Sequence, residues 1–255
     1  MATAKIISSH ALKTRLNLFF KRAKSYDFGV EEIVRCAQSV GETAIFGGML
    51  RDLLLYGEEG FKSDTDLVVA GDSEALQRAL LKFAPTRTAY GGYRLMHKHS
   101  KIDIWCLKDT WAFQNGLVTG SGLEDLLKTT FFNWDAVAYV MGKKQLLLGE
   151  NYFESIKERM LDINLEPNPN PIGTVKRAFS RVSKDSATLS PRLVDYVGRV
   201  LASPEGKAWG LKTASKDELF LTFYSSFHVH IEKSPASPFE LNPQLTLWDP
   251  LRHVA

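Results

Sequence analysis

Apolar residues recur at helical spacing twice near the start of the chain, as Leu12, Leu16, Phe19 and Phe20 and then as Val30, Ile33, Val34 and Ala37. Positions three and four apart share one face of a helix, so helices are predicted over 10–24 and 30–39, the second stopped by Gly41. The period then shortens. TAIF (43–46) reads as a buried strand running into Gly47-Gly48, MLRDLLLYG (49–57) as a helix closed by Gly57, and TDLVVAG (65–71) as the next strand. Ser73 is placed to cap a helix over EALQRALLKF (74–83), and YRLMHK with KIDIWCL (93–98, 101–107) alternates like a hairpin pair. Strands interleaved with helices predict a mixed α/β domain.

Further on, LEDLLK (123–128) is a helical turn, DAVAYVMGKKQLLLGE (135–150) two strands around Gly142, and YFESIKERM (152–160) a helix. The run EPNPNP, Glu166 to Pro171, is the clearest break, because repeated proline removes donors and fixes the backbone. A boundary there gives a first domain over 1–166 and a second over 167–255. In the second, TVKRAFSRVSK, PRLVDYVGRVL and KDELFLTFYSSF have helical period, so a small all-helical unit followed by a proline-rich irregular tail is expected.

Composition narrows the class. With 44% hydrophobic and 24% charged residues the chain reads as a folded soluble protein, and no stretch approaches the roughly 20 apolar residues that span a bilayer. The N-terminus lacks the layout of a secretory signal, and Cys36 and Cys106 make neither a disulfide framework nor a metal-ligand spacing. A cytoplasmic protein with reduced thiols is expected. The net charge of +3 is too small to imply a polyanionic partner by itself, but basic residues gather at 13–24 and 176–199. Those runs are either solvated helix faces or nucleic-acid contacts. His97, His99, His228 and His230 and the tryptophans carry no comparable pattern.

The chemistry concentrates in AIFGGMLRDLLLYGEEGFKSDTDLVVAGD, Ala44 to Asp72. A strand that ends in Gly47-Gly48 and enters a helix lets backbone N–H groups approach a phosphate, with favourable partial charge from the helix N-terminus. Asp64 and Asp66, one residue apart in a strand, share a face. Two such carboxylates repel unless a cation sits between them; otherwise they serve as a turn cap and a surface pair. Asp103 supplies a third acid if its strand lies beside TDLVV, and oxygen-only ligands suit Mg²⁺, with nucleotide phosphates filling the remaining positions.

GG-x-x-RD-x-L-L followed by D-x-D-[LIV]-V resembles the head domain of class II tRNA nucleotidyltransferases (CCA-adding enzymes) and bacterial poly(A) polymerases, in the DNA polymerase beta-like nucleotidyltransferase superfamily. The resemblance covers roughly residues 30 to 185, most strongly up to 70. It implies an α+β fold, a mixed five-stranded sheet with flanking helices followed by a small helical neck-like domain. It also implies that Gly47 and Gly48 hold triphosphate, that Asp64, Asp66 and Asp103 are catalytic and bind Mg²⁺, and that Arg51 and Asp52 help organise the nucleotide site. Where the family carries Arg-Arg-Asp this chain has Thr129, Thr130 and Phe131, and Asp135 replaces an asparagine. Lys128, Arg177 and Arg181 are the remaining candidate phosphate or base contacts.

The family's tRNA-measuring body and tail have no counterpart in this length, so a compact, divergent relative is expected. The function implied is Mg²⁺-dependent transfer of NMP from an NTP, ATP or CTP, to an acceptor hydroxyl, in first place an RNA 3′ end. The alternatives are a nucleotide- or RNA-binding module with weakened catalysis, and NMP transfer to a protein or small molecule.

Overall fold

The computed structural model describes residues 6–26, 30–60, 64–97 and 100–213. They fall into two compact units, Met1–Lys157 and Glu158–Ala255, so that the proline-rich break lies inside the second.

The first unit opens with α1 (Ser9–Tyr26) and α2 (Val30–Gln38), followed by β1 (Glu42–Phe46), α3 (Gly48–Gly60), β2 (Thr65–Ala70) and α4 (Ser73–Leu80). After them come β3 (Thr86–Arg87), β4 (Tyr93–His97), β5 (Ser100–Cys106), α5 (Trp111–Gln114), β6 (Val137–Val140), β7 (Gln145–Leu148) and α6 (Tyr152–Lys157). The strands form one mixed sheet in the order β3-β4-β5-β2-β1-β6-β7, in which β2 and β5 run parallel and every other pair antiparallel.

Seven strands stand where five were expected. The β6–β7 pair extends one side, as the two apolar runs around Gly142 predict. The two-residue β3 extends the other, and is too short to leave a period in the sequence.

Alternation along the strands gives the sheet two faces. Ile45, Leu67, Val69, Ile102 and Ile104 are fully buried on one, where α2 and α3 pack against β1 and α4 against β5. On the other, Ala44, Val68, Ala138, Val140 and Leu147 are buried under Leu107, Leu123 and Leu126 from the long connection between β5 and β6. That connection includes a 3-10 turn over Asp125–Thr129, which replaces the predicted helical turn. It covers the β1 and β6 side of the face, while Arg94 and Met96 on β4 remain exposed.

Local signals explain the helix ends. Leu12 and Leu16 of α1, one turn apart, are buried where α1 packs on α3. Arg15 donates to the backbone oxygens of Leu53 and Leu54, so one member of the N-terminal basic run satisfies carbonyls in the turn before the Gly57 break in α3. Gly57 breaks α3 with φ 73°, where the sequence places a stop. The cap of α4 is corrected: Asp72, not Ser73, accepts from the Ala75 N–H at 2.9 Å, and the Ser73 hydroxyl donates to Asp109 at 2.5 Å. Both free cysteines are present as expected, Cys106 being buried and Cys36 partly so.

The second unit holds α7 (Pro171–Asp185), α8 (Pro191–Ala202) and α9 (Pro204–Thr213), with β8 (Met160–Leu161) paired in parallel to β9 (Thr188–Leu189). It is therefore not all-helical, because the linker between α7 and α8 returns to hydrogen-bond the segment after α6. Proline opens α7 and α8 at positions whose N–H groups lack intrahelical partners, and Asn170 and Ser190 cap them by accepting from Gly173 and Leu193. The helix predicted over 216–227, the tail and His99, His228 and His230 lie outside the described residues. No helix among the described residues is long and apolar enough to cross a membrane.

Candidate active site

The first strand delivers the chain to the bend. Gly47 has φ 69°, a left-handed conformation that glycine adopts without strain. Its N–H donates to Val137 at 2.9 Å, and its carbonyl accepts from Leu50 at 3.0 Å and Arg51 at 3.3 Å. Gly47 is thus hydrogen-bonded into both β6 and the first turn of α3, which fixes where that helix begins.

Phe46, the residue before the bend, stands opposite Asp66, and Asp66 stands opposite Asp103. The same row continues to Arg94 and Thr86 on one side and to Ala138 on the other. Since side chains in register on adjacent strands share a face, Asp66 and Asp103 emerge side by side beside the diglycine bend, with Asp64 two residues away. The structure therefore brings Gly47, Gly48, Asp64, Asp66 and Asp103 together.

Two of the three acids have protein cations. Arg94 forks onto Asp103, with Nε to Oδ1 and Nη2 to Oδ2 both at 2.7 Å, and the Lys101 ammonium pairs with Asp64. Asp66 has neither a hydrogen bond nor an ion pair among the described residues. Its burial, and then the charges of Asp103, Asp64 and Asp135, push its pKa up to about 7. Among the described residues, no set of three or more His, Cys, Asp or Glu side chains is placed to hold one metal ion. In place of the expected cage of three carboxylates there is one crowded acid between two acids that each face a cation.

Arg51 and Asp52 sit behind this row. Both are buried, and Arg51 reaches Asp52 through Nε at 2.8 Å and Nη2 at 2.7 Å, while its Nη1 pairs with Asp135. Burial works against the guanidinium charge, yet Asp135 and Asp52 raise the Arg51 pKa above the ordinary arginine value. The guanidinium thus ties the start of α3 to the turn before β6. The Tyr152 hydroxyl, fully buried nearby, finds no hydrogen-bond partner among the described residues, and burial drives its pKa far up.

The remaining candidates have partners of their own. Lys128 is exposed in the 3-10 turn and pairs with Asp125 at 3.0 Å. Beside it, Thr129 and Thr130 are buried and donate to backbone carbonyls, Thr129 to Leu126 at 2.7 Å and Thr130 to Phe132 at 3.0 Å. Arg177 and Arg181 belong to α7 of the second unit, where Arg177 donates to Thr174 at 3.0 Å and Arg181 pairs with Asp185 at 2.9 Å. The sequence reading missed Arg94, Lys101 and Asp135 as neighbours of the acids. Lys101 was findable, two residues before Asp103 in KIDIW and hence on its face, whereas Arg94 and Asp135 depend on strand register and on a contact across 84 positions.

The fold recurs in solved structures. A CCA-adding enzyme in an apo form superposes with TM-score 0.55 at 19% identity, over 90% of this chain and 56% of that one. The fold is shared with tRNA nucleotidyltransferases. A tRNA-processing enzyme in its apo form gives TM-score 0.54 at 19% identity over 83% of this chain and 58% of that one. A tRNA nucleotidyltransferase complexed with a primer tRNA and an incoming ATP analogue gives 0.51 at 20% identity over 74% and 58%. The chain spans little more than half the length of each. No family model matches the sequence, and no curated protein sequence matches it either.

Proposed function

We propose that the protein is a Mg²⁺-dependent nucleotidyltransferase that transfers NMP from ATP or CTP to an acceptor hydroxyl, the acceptor being an RNA 3′ end. The observation that carries this reading is the row Asp103–Asp66–Phe46 beside the Gly47 bend, which sets a crowded acid group next to a helix start able to receive phosphate. The shared fold with tRNA nucleotidyltransferases supports it.

The donor set suits a hard divalent cation, because every candidate ligand is a carboxylate oxygen and Asp66 carries a charge that its neighbours oppose. Asp64 and Asp66 would hold Mg²⁺, joined by Asp103 on release from Arg94; the ion would activate the attacking hydroxyl and steady the leaving pyrophosphate. The chain's own part is placement. Gly47 and Gly48 offer backbone N–H groups to the triphosphate, and Arg51, held by Asp52 and Asp135, keeps the start of α3 against β6.

The test is incubation with labelled ATP or CTP, Mg²⁺ and total RNA. Label should pass to RNA, and Asp64→Ala with Asp66→Ala should abolish it; no transfer, or transfer indifferent to those substitutions, overturns the reading. A second reading, a nucleotide- or RNA-binding module without turnover, is favoured by Thr129 and Thr130, whose hydroxyls serve the backbone where the resemblance calls for arginines. Calorimetric binding of NTP with no product over hours would select it.

A further inference from the structure

Resting on the nucleotidyltransferase reading, we propose that Arg94 and Lys101 are the residues that seat the phosphodiester backbone of the acceptor strand, and that a divalent cation releases them from Asp103 and Asp64 to do so. Among the described residues, few cations stand near Asp64, Asp66 and Asp103. Arg51 is spent on two carboxylates with its side chain 8% exposed, Thr129 and Thr130 carry no charge, and Lys128 is paired with Asp125 in a separate turn. Arg94 and Lys101, by contrast, have side chains 43% and 34% exposed and touch the acids directly.

Register places both on the face that bears the acids. Arg94 stands opposite Asp103, and Lys101 stands opposite Met96, an apolar side chain 68% exposed. The open side of the sheet thus offers two cations and an exposed apolar side chain along β4 and β5. Alternating charge and apolar surface is what a single strand of nucleic acid needs, with cations following the backbone and uncharged surface meeting bases. A free triphosphate has no use for the apolar part.

The exchange is balanced in charge, since one divalent cation replaces one guanidinium and one ammonium. The Lys101–Asp64 pair, with side chains 34% and 42% exposed, is weakly held against water and salt. Freed from carboxylates, Arg94 keeps a planar fork that fits a phosphate as it fits Asp103.

The experiment is fluorescence anisotropy of a labelled single-stranded oligoribonucleotide, titrated with the full chain at several salt concentrations, with and without Mg²⁺, beside calorimetry with ATP. Expected for the native chain is severalfold tighter RNA binding with Mg²⁺ at constant ionic strength. Arg94→Gln with Lys101→Gln should bind RNA at least tenfold more weakly in Mg²⁺, lose the Mg²⁺ enhancement, and shed a salt slope of about 0.7 per lost phosphate contact, with ATP affinity kept. Circular dichroism of the same variants checks that the fold is retained, and Arg94→Lys should restore part of the affinity. Unchanged RNA binding in the double variant overturns the proposal, as does a loss confined to ATP, which would assign the cations to the triphosphate. Failure of the native chain to transfer NMP, with this RNA-binding contrast intact, overturns the nucleotidyltransferase reading and leaves the phosphate seat standing.

Discussion

Asp66 stands directly opposite Asp103 on the parallel pair β2–β5, so two carboxylates share one face at adjacent positions of the sheet. With Asp64 and Asp135 also near, ionising Asp66 costs free energy that only a cation can return.

That crowding makes stability pH-dependent in a defined direction. The folded pKa of about 7 lies above the 3.8 of the free side chain, so between those values the folded state binds more protons than the unfolded one. The Asp66 contribution to stability is therefore full below about pH 4, is lost as pH rises to about 7, and changes no further beyond; the shift corresponds to at most about 4 kcal/mol. Asp66→Asn should raise the melting temperature at pH 8 and flatten this slope. Mg²⁺ should likewise raise the melting temperature of the native chain at pH 8, and have less effect on the Asn variant, which differential scanning calorimetry would read.

Arg51 neutralises the buried carboxylate of Asp52 and the part-buried one of Asp135. Arg51→Met should destabilise the fold by about 3–5 kcal/mol, because Asp52 and Asp135 are left without their shared cation. Adding Asp52→Asn and Asp135→Asn should recover part of that loss. Urea denaturation of the single and triple variants measures both values.

Tyr152 buries a hydroxyl with no partner among the described residues. Tyr152→Phe should be neutral or stabilising by up to about 1 kcal/mol, since no hydrogen bond is lost. Tyr152→Ala should cost about 3–5 kcal/mol through the cavity alone. A loss of more than 1 kcal/mol in the Phe variant would show that the hydroxyl has a partner.

Gly47→Ala separates conformation from contact. A Cβ there would lie 3.7 Å from the Asp135 carbonyl oxygen, an ordinary van der Waals distance, so the cost is that of the left-handed backbone, about 1–2 kcal/mol. If the bend receives phosphate, nucleotidyl transfer should fall at least tenfold at a temperature where the variant remains folded. Transfer at the native rate would remove the bend from the site.

Much of the first unit is legible because it depends on local rules. Alternation marked β1, β2, β4 and β5, Gly57 marked the break in α3, and the spacing of Asp64 and Asp66 fixed their common face. Where two residues compete for one local role the sequence is ambiguous, as with Asp72 and Ser73, and geometry chose the carboxylate. The pairs β3–β4 and β8–β9 escaped because two residues carry no period.

By itself the sequence determined the order of the longer strands and helices, the diglycine bend and the pairing of two acids on one face, since periodicity and backbone freedom act between residues a few positions apart. Only the tertiary structure decided that Asp103 joins them across a parallel pair, that Arg94 and Lys101 answer Asp103 and Asp64, and that Asp135 turns Arg51 inward. Those contacts depend on strand register and chain closure over long separations, and a one-residue slip of β5 would carry Asp103 to the opposite face.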